Sequence, residues 1–525
     1  MNTLKFNTIL KTGFSTAALF TATLIPTAQS ADYYWQSYTS TILIANSGNI
    51  QLVSVPYPDA DSNCAAIADA YRYNSKEIAW RVTGYEVKFT KPTAADCRVK
   101  LASVNAPHPS TSSVLYALGR TGNSCPDGRS YDTTVGGCAM GEDKGNAEAT
   151  NCSGSAGPSP SVLNPINAAN GNKHQTEFDL KATGKSRLNF YRTYNSKDGY
   201  WTHNYSSHLR INATSVVVVQ SDGRESLFTI EGSSLTKLPT ELGELTKIGE
   251  LWIYTKSTNE KYSFDATGKL ISWSDGGSYG YSLTYSADQI TAESTLGERL
   301  TFTEDYHHQP LTVISGNTSI TYEYNGFKRL SKVNRTVLSQ TDVRQYHYEA
   351  ANKLTLLTGI SDGNNVRIAT WGYDSQGRAI SSEHAGGTER GEVTYNADGS
   401  TTVKNEYGKT TKLRFQAIQG VKRVTSIEGE ASPNCPYSNS SFTYNAQGLL
   451  KTRTDAKGNV TTYDYNDRGL ETSRTEASGT PQARTVTTEW HPTLFLKTKV
   501  TEPDRITDYQ YDAQGRQTGQ TVTPR

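Results

Sequence analysis

Between Asp179 and His208 the sequence places Arg192, Asp198, His203 and Tyr205. An imidazole near a carboxylate can take up and return protons, so this stretch holds the residue types of acid–base chemistry. No nucleophile stands at a recognisable elbow beside them, and strand decoration accounts for the residues better. His307-His308 precede Pro310 and read as exposed turn residues. Asp59-Ala60-Asp61-Ser62-Asn63 alternates oxygen ligands as a calcium loop does, yet it lacks the turn glycine and the terminal Glu, so it reads as a polar turn. Gly276-Gly277-Ser278-Tyr279-Gly280 reads as a hairpin connection and not as a phosphate loop.

The cysteines are the next candidates. Cys64, Cys97, Cys125, Cys138, Cys152 and Cys435 make an even six. No CxxC spacing or histidine cluster supports zinc, so no metal and no cofactor is expected. Disulfides are the expectation, with Cys64–Cys97 and Cys125–Cys138 as the pairs, and Cys152 left with Cys435 or unpaired. The start of the chain agrees with export. Lys5 and Lys11 form a basic region, Thr12–Pro26 is a short apolar stretch, and Ala28-Gln29-Ser30 is a small-x-small site. Cleavage is predicted between Ser30 and Ala31. The apolar stretch is too short to span a bilayer, so no transmembrane anchor is expected. Localisation is therefore predicted as secreted: extracellular, cell surface or periplasm. Lys and Arg number 52 against 51 Asp and Glu, which leaves no basic field for nucleic acid.

The elements that would position any site come from a degenerate repeat. Its clearest copy is Tyr509-Gln510-Tyr511-Asp512-Ala513-Gln514-Gly515-Arg516. Others are Trp371-Gly372-Tyr373-Asp374-Ser375-Gln376-Gly377-Arg378, Phe442-Thr443-Tyr444-Asn445-Ala446-Gln447-Gly448, Tyr463-Asp464-Tyr465-Asn466-Asp467-Arg468-Gly469 and Tyr322-Glu323-Tyr324-Asn325-Gly326. The second aromatic recurs at Tyr324, Tyr348, Tyr373, Tyr395, Phe415, Tyr444, Tyr465, Trp490 and Tyr511, at steps of 24, 25, 22, 20, 29, 21, 25 and 21 residues. Aromatic-x-aromatic sets two rings on one strand face. Asp or Asn opens a turn by bonding its own backbone, and Gly three residues on takes a positive φ. A Thr- and Val-rich strand returns. About a dozen hairpins are predicted over 250–525. A lone hairpin is marginal in water, so each must pair with its neighbours. Asp374 with Arg378, and Asp512 with Arg516, read as turn caps with surface ion pairs. The tyrosine rows could stack sugars or pack across strands.

This pattern resembles the RHS or YD-repeat family. The resemblance implies a mainly β fold, in which hairpins wind into a curved spiral sheet, here a partial open shell. A second resemblance covers 162–230, from Asn164-Pro165-Ile166-Asn167 and Asn170-Gly171-Asn172-Lys173 through Leu188-Asn189-Phe190-Tyr191-Arg192 to Gly199-Tyr200-Trp201. It is similar to the β-rich domain that precedes the repeats in many bacterial RHS proteins, where that domain starts or plugs the shell. Asn170-Gly171 is expected as a type I′ hairpin turn, and Ser215–Val219 with Asp222-Gly223 as the domain's last buried hairpin.

The organisation expected is thus a signal peptide at 1–30, a small disulfide-containing domain at 31–118 and a Cys/Gly/Ser-rich connector at 119–161. The β-rich domain follows at 162–249 and the repeats at 250–525. The DPxGL-type segment that closes complete shells in this family is missing from these residues. The resemblance therefore implies a C-terminal toxin domain or a shell-closing partner outside them. The function expected is a non-enzymatic, exported shell that encapsulates or presents an effector. The rival is a surface adhesin or carbohydrate-binding protein that takes glycans on its tyrosine face.

Overall fold

The computed structural model describes residues 158–525 apart from 183–186, 212–214, 238–240, 287–288, 306, 351–352, 419–420, 430–438 and 513–514. Before 158 it describes the backbone of several strands and the residues Cys64, Cys97 and Lys144. The leader, the Asp59–Asn63 segment and Cys125, Cys152 and Cys435 lie outside the described residues, as does the side chain of Cys138.

In the N-terminal part four strands form one antiparallel sheet, in the order Tyr34–Ser37, Thr111–Thr121, Ala94–Ser103, Trp80–Lys91. A disulfide joins Cys64 to Cys97, on the Ala94–Ser103 strand, and both sulfurs' residues are fully buried.

Residues 161–237 form a cap of three small antiparallel sheets. These are Ser161–Val162 with Ile166–Asn167; His174–Leu180, Phe190–Asn195 and Trp201–His203; and His208–Ile211, Ser215–Val219, Glu225–Glu231 and Ser234–Lys237. Ser215–Val219 is buried along its whole length, since it is the inner neighbour of two strands. One more strand, Ser234–Lys237, pairs with the hairpin after it, and none of that strand's residues is buried. The turn at Asn170-Gly171 differs from the type I′ expectation. Only Gly171 takes a positive φ, while Asn170 uses its Oδ1 to accept the Asn172 N–H at 2.9 Å.

From Glu244 to Pro524 the chain builds one 26-stranded antiparallel sheet whose strand order follows the sequence without a crossover. Each hairpin pairs with the one before it, as the repeat requires. Burial alternates along the strands: in Thr318–Tyr324, Ile320 and Tyr322 are buried while Ser319, Thr321 and Glu323 are exposed. The sheet is not closed into a barrel, because Glu244–Ile248 and Gln517–Pro524 are its two edges.

The sheet winds. Hairpin turns fall on two rims, one carrying the Tyr-Asx turns (such as 374–378 and 466–470) and the other the connections between them. Rim meets rim after one circuit. Asn259 on the opposite rim and Phe495 on the Tyr-Asx rim exchange two hydrogen bonds, at 2.9 and 3.0 Å. Leu242 lies against Gly469, and the 275–278 turn faces Gly515–Gln517 across an open cleft of about 430 Å³. One turn of the spiral thus takes some 230 residues (495 − 259 = 236; 469 − 242 = 227).

The cap covers the Tyr-Asx rim of the first turn. Leu209 N–H donates to Gly268 O at 2.8 Å, Arg329 to Asp198 O at 3.1 Å, and Ala379 N–H to Gly171 O at 3.0 Å. Thr401 donates to Ala168 O at 2.7 Å and Lys422 to Ala169 O at 3.0 Å. One apolar core joins the two parts: Phe190, Tyr194, Trp201 and Tyr205 of the cap pack with sheet residues from Trp252 to Trp371.

Candidate functional site

The repeat turn comes first because it positions everything else. Asp374 Oδ1 accepts the N–H groups of Gln376 and Arg378, both at 2.9 Å. Asp305, Asn325, Asn445 and Asn466 accept from the residues two and four on in the same way. The third residue after the Asx must then be left-handed, and Gly377, Gly448, Gly469 and Gly515 are, at φ 75–81°. Asp374 pairs with Arg378 at 2.7 Å and Asp512 with Arg516 at 2.6 Å. Capping and pairing hold both carboxylates in place; hydrogen bonds to Arg378 and Gln376 keep Asp374 below the usual carboxylate range although partial burial opposes this.

The second aromatic of the repeat has a use the sequence did not disclose. Its hydroxyl donates to a backbone carbonyl in or just before the preceding strand. Tyr373 reaches Leu357 O, Tyr465 Leu450 O and Tyr511 Lys497 O, each at 2.8 Å, and Tyr444 reaches Val424 O at 2.6 Å. Trp490 repeats the contact through Nε1 to Glu471 O at 2.8 Å. Tyr509 lies on the same strand two residues before Tyr511, half-buried. The regular spacing of 14 to 20 residues between donor and acceptor was the available signal.

Two of these turns break the glycine rule. In Asp305–Gln309 and Asn325–Arg329 the left-handed residues are His308 (φ 58°) and Lys328 (φ 59°), so Gly326 is not the turn glycine. A side chain there costs backbone energy, and such positions persist where surroundings over-determine them. The surroundings of His308 are the cap.

There the candidate acid–base residues converge. Glu304 bridges two histidines: Oε2 to His203 Nε2 at 2.8 Å and Oε1 to His308 Nδ1 at 3.0 Å. His208 stacks on His308 with ring centroids 4.2 Å apart, and His307 stacks on Tyr200 at 4.1 Å. The pair His307-His308 is therefore packed against the cap and not an exposed loop, because the Asx turn that carries it is a docking point. His203 Nδ1 accepts the Tyr205 N–H at 3.2 Å, so Nε2 is the nitrogen that donates to Glu304. Ser206 Oγ donates to His203 O and does not touch a ring nitrogen. Burial opposes charge on Glu304, yet the bonds from His203 and His308 hold its carboxyl well below the usual range. Burial, then the neighbouring His308, push His208 down to about 3.

A second buried knot lies beside it. Asp179 takes Arg192 on both oxygens, at 2.5 and 2.8 Å, and Tyr322 OH at 2.8 Å. Arg192 also donates to Tyr346 OH at 2.7 Å and lies 4.7 Å from the Trp201 ring centre. Burial works against the guanidinium charge, but Asp179 overrides it and holds Arg192 well above its ordinary value. Arg192 and Asp179 are therefore not strand decoration but the polar centre of the cap–sheet interface. Farther along, Lys173 Nζ donates to Asn164 O at 2.7 Å and Gln175 Oε1 at 2.8 Å beneath the Trp371 ring. Among the described residues no three His, Cys, Asp or Glu side chains group as a metal site.

Residues 444–481 match the family described as RHS Repeat. The chain carries an RHS repeat. Residues 163–228 match a domain of unknown function, DUF6531, which coincides with the cap. No curated protein matches the chain. Among solved structures, TcdB2-TccC3-TEV is 11% identical with a TM-score of 0.27, covering 82% of this chain and 21% of its own. The chain thus spans about a fifth of that structure's length. A porin-like protein from Bacteroides uniformis is 11% identical, TM-score 0.14, with 54% of this chain and 94% of its own covered. A periplasmic gluconolactonase from Pseudomonas aeruginosa is 11% identical, TM-score 0.08, covering 60% and 94%. No helix of the described residues is long and apolar enough to cross a membrane.

Proposed function

We propose that this protein is the front part of an exported RHS shell, which encloses or presents an effector and has no catalytic role of its own. One observation carries the reading: the sheet completes a circuit and lands rim on rim, while the cap covers the other rim of that circuit. A wound wall with one covered end is the start of a container. The residue types that could do chemistry are spent on docking the cap, and both ring nitrogens of His203 are engaged. The tyrosine hydroxyls are spent on lacing hairpins, which counts against a glycan-stacking face. Electron microscopy of the native secreted protein, with its intact mass, tests the reading. A lumen behind a curved wall, in a species that begins at Ala31, is expected. A flat or solid particle overturns the shell, and binding on a glycan array that is lost on Tyr→Ala changes along the aromatic face would favour the adhesin instead.

A further inference from the structure

The histidine cluster between cap and sheet has no part in holding a wall together, since every other rim turn does without it. We propose that His208, His308, His203 and Glu304 form an acid-sensitive latch, which holds the cap on the rim while His208 is neutral and lets go when it is protonated. The inference stands on the docking geometry and does not need the shell reading.

The geometry shows why His208 must stay neutral. Its ring is half-buried between the cap and the 305–309 turn, with His308 stacked on it from the sheet. Its Nδ1 donates to Ser206 O at 2.8 Å, so a new proton goes to Nε2. On its own strand the nearest charge is Arg210, which is paired with Glu225 at 2.7 Å. Across the interface the charged group is Glu304, already bonded by His203 and His308. The backbone bridge to Lys269 reaches a turn whose carboxylate, Asp265, is committed to the Thr267 and Lys269 N–H groups. His203 Nδ1 is held by the Tyr205 N–H. The left-handed backbone at His308 is a second, independent sign: the clearest repeat copies use glycine there, and this turn bears the strain of a side chain that bonds Glu304 and stacks on the cap.

The direction with pH follows. In the released cap His208 titrates near the ordinary histidine value, and when docked it binds its proton only at about 3. Docking is at full strength above about pH 6.5 and weakens about tenfold per unit below that, since the released state takes up the proton. Glu304 adds nothing in this window, because its low value makes it a carboxylate in both states until the pH falls below about 4.5. His174, inside the cap and pushed down to about 4 by burial, acts in the same direction on the cap's own fold.

Hydrogen exchange on the full chain, corrected for intrinsic rate, between about pH 7 and pH 5 tests this. Peptides covering 190–211 and 300–310 are expected to lose protection about tenfold per pH unit while those covering 440–475 keep theirs. His208→Phe, which keeps a neutral ring, and His208→Gln are both expected to flatten that profile; His174→Phe is not. The latch is overturned if cap protection is constant over this range, if array peptides open with it, or if the His208 variants follow the wild-type profile.

Discussion

Asp179 meets Arg192 out of water, and the energy of that meeting is set by what happens when one partner leaves. The pair, with Tyr322 and Tyr346, is fully hydrogen-bonded on the carboxylate side. Asp179→Ala strands a buried guanidinium, and about 3–5 kcal/mol of stability should be lost. Urea unfolding followed by near-ultraviolet dichroism measures it; a loss within noise would mean the cap is held elsewhere. A single lacing hydroxyl is worth less. Tyr465→Phe removes the bond to Leu450 O and should cost about 0.5–1.5 kcal/mol, with the ring packing unchanged. At Gly377, where the turn demands φ +80°, Ala should cost about 1–2 kcal/mol, whereas Lys328→Gly should stabilise its turn.

At the scale of elements, each hairpin is a small module: an Asx cap, a left-handed third residue, and an aromatic pair that faces the core and ties back to the preceding strand. Such modules are legible because their causes are local. Tyr373, Asp374, Gly377 and Arg378 stand where their types and spacing require, and the sheet they build is the hairpin array the repeat implies. The exceptions are instructive. After Asn325 it is Lys328, and not a glycine, that holds the left-handed place, because the Asn325 side chain sets the turn from its own position. His307-His308 looked exposed because a sequence shows the turn and not what docks on it. Element-to-element contact across the spiral is equally local in chemistry and remote in sequence: Asn259→Ala should raise hydrogen exchange in 491–496 and leave 440–475 unchanged. Equal protection in both peptides would count against the stacked turns.

For the whole molecule, the winding decides where free surface remains. The second turn covers the opposite rim only as far as 275–278. Beyond it the tips at Leu296, Leu338, Val366 and Tyr407 stand out, at 58 to 79% exposure. The Leu338 side chain is 77% exposed, so Leu338→Ser should move the unfolding midpoint little, within about 0.5 kcal/mol. Under the shell reading the same tips are where further hairpins would land, so photo-cross-linking from position 338 in the native assembly should capture Tyr-Asx turns that lie outside these residues. Capture of this chain's own cap would argue for a different assembly.

What the sequence determined by itself was the module. Alternation, Asx turns and glycines act over a few residues, and 20 to 29 residues suffice to write one hairpin. It also carried the preceding domain, through Asn164–Asn167 and Leu188–Arg192. What only the tertiary structure decided was how the modules close on each other. Curvature accumulates from small twists at every strand pair, so no single residue encodes that Asn259 meets Phe495. The convergence of Asp179, Arg192, His203 and His208 with Glu304, His308, Tyr322 and Tyr346 was beyond reading for the same reason. Those partners come from sites about 100 to 150 residues away, brought together by burial of a shared core that no local pattern describes.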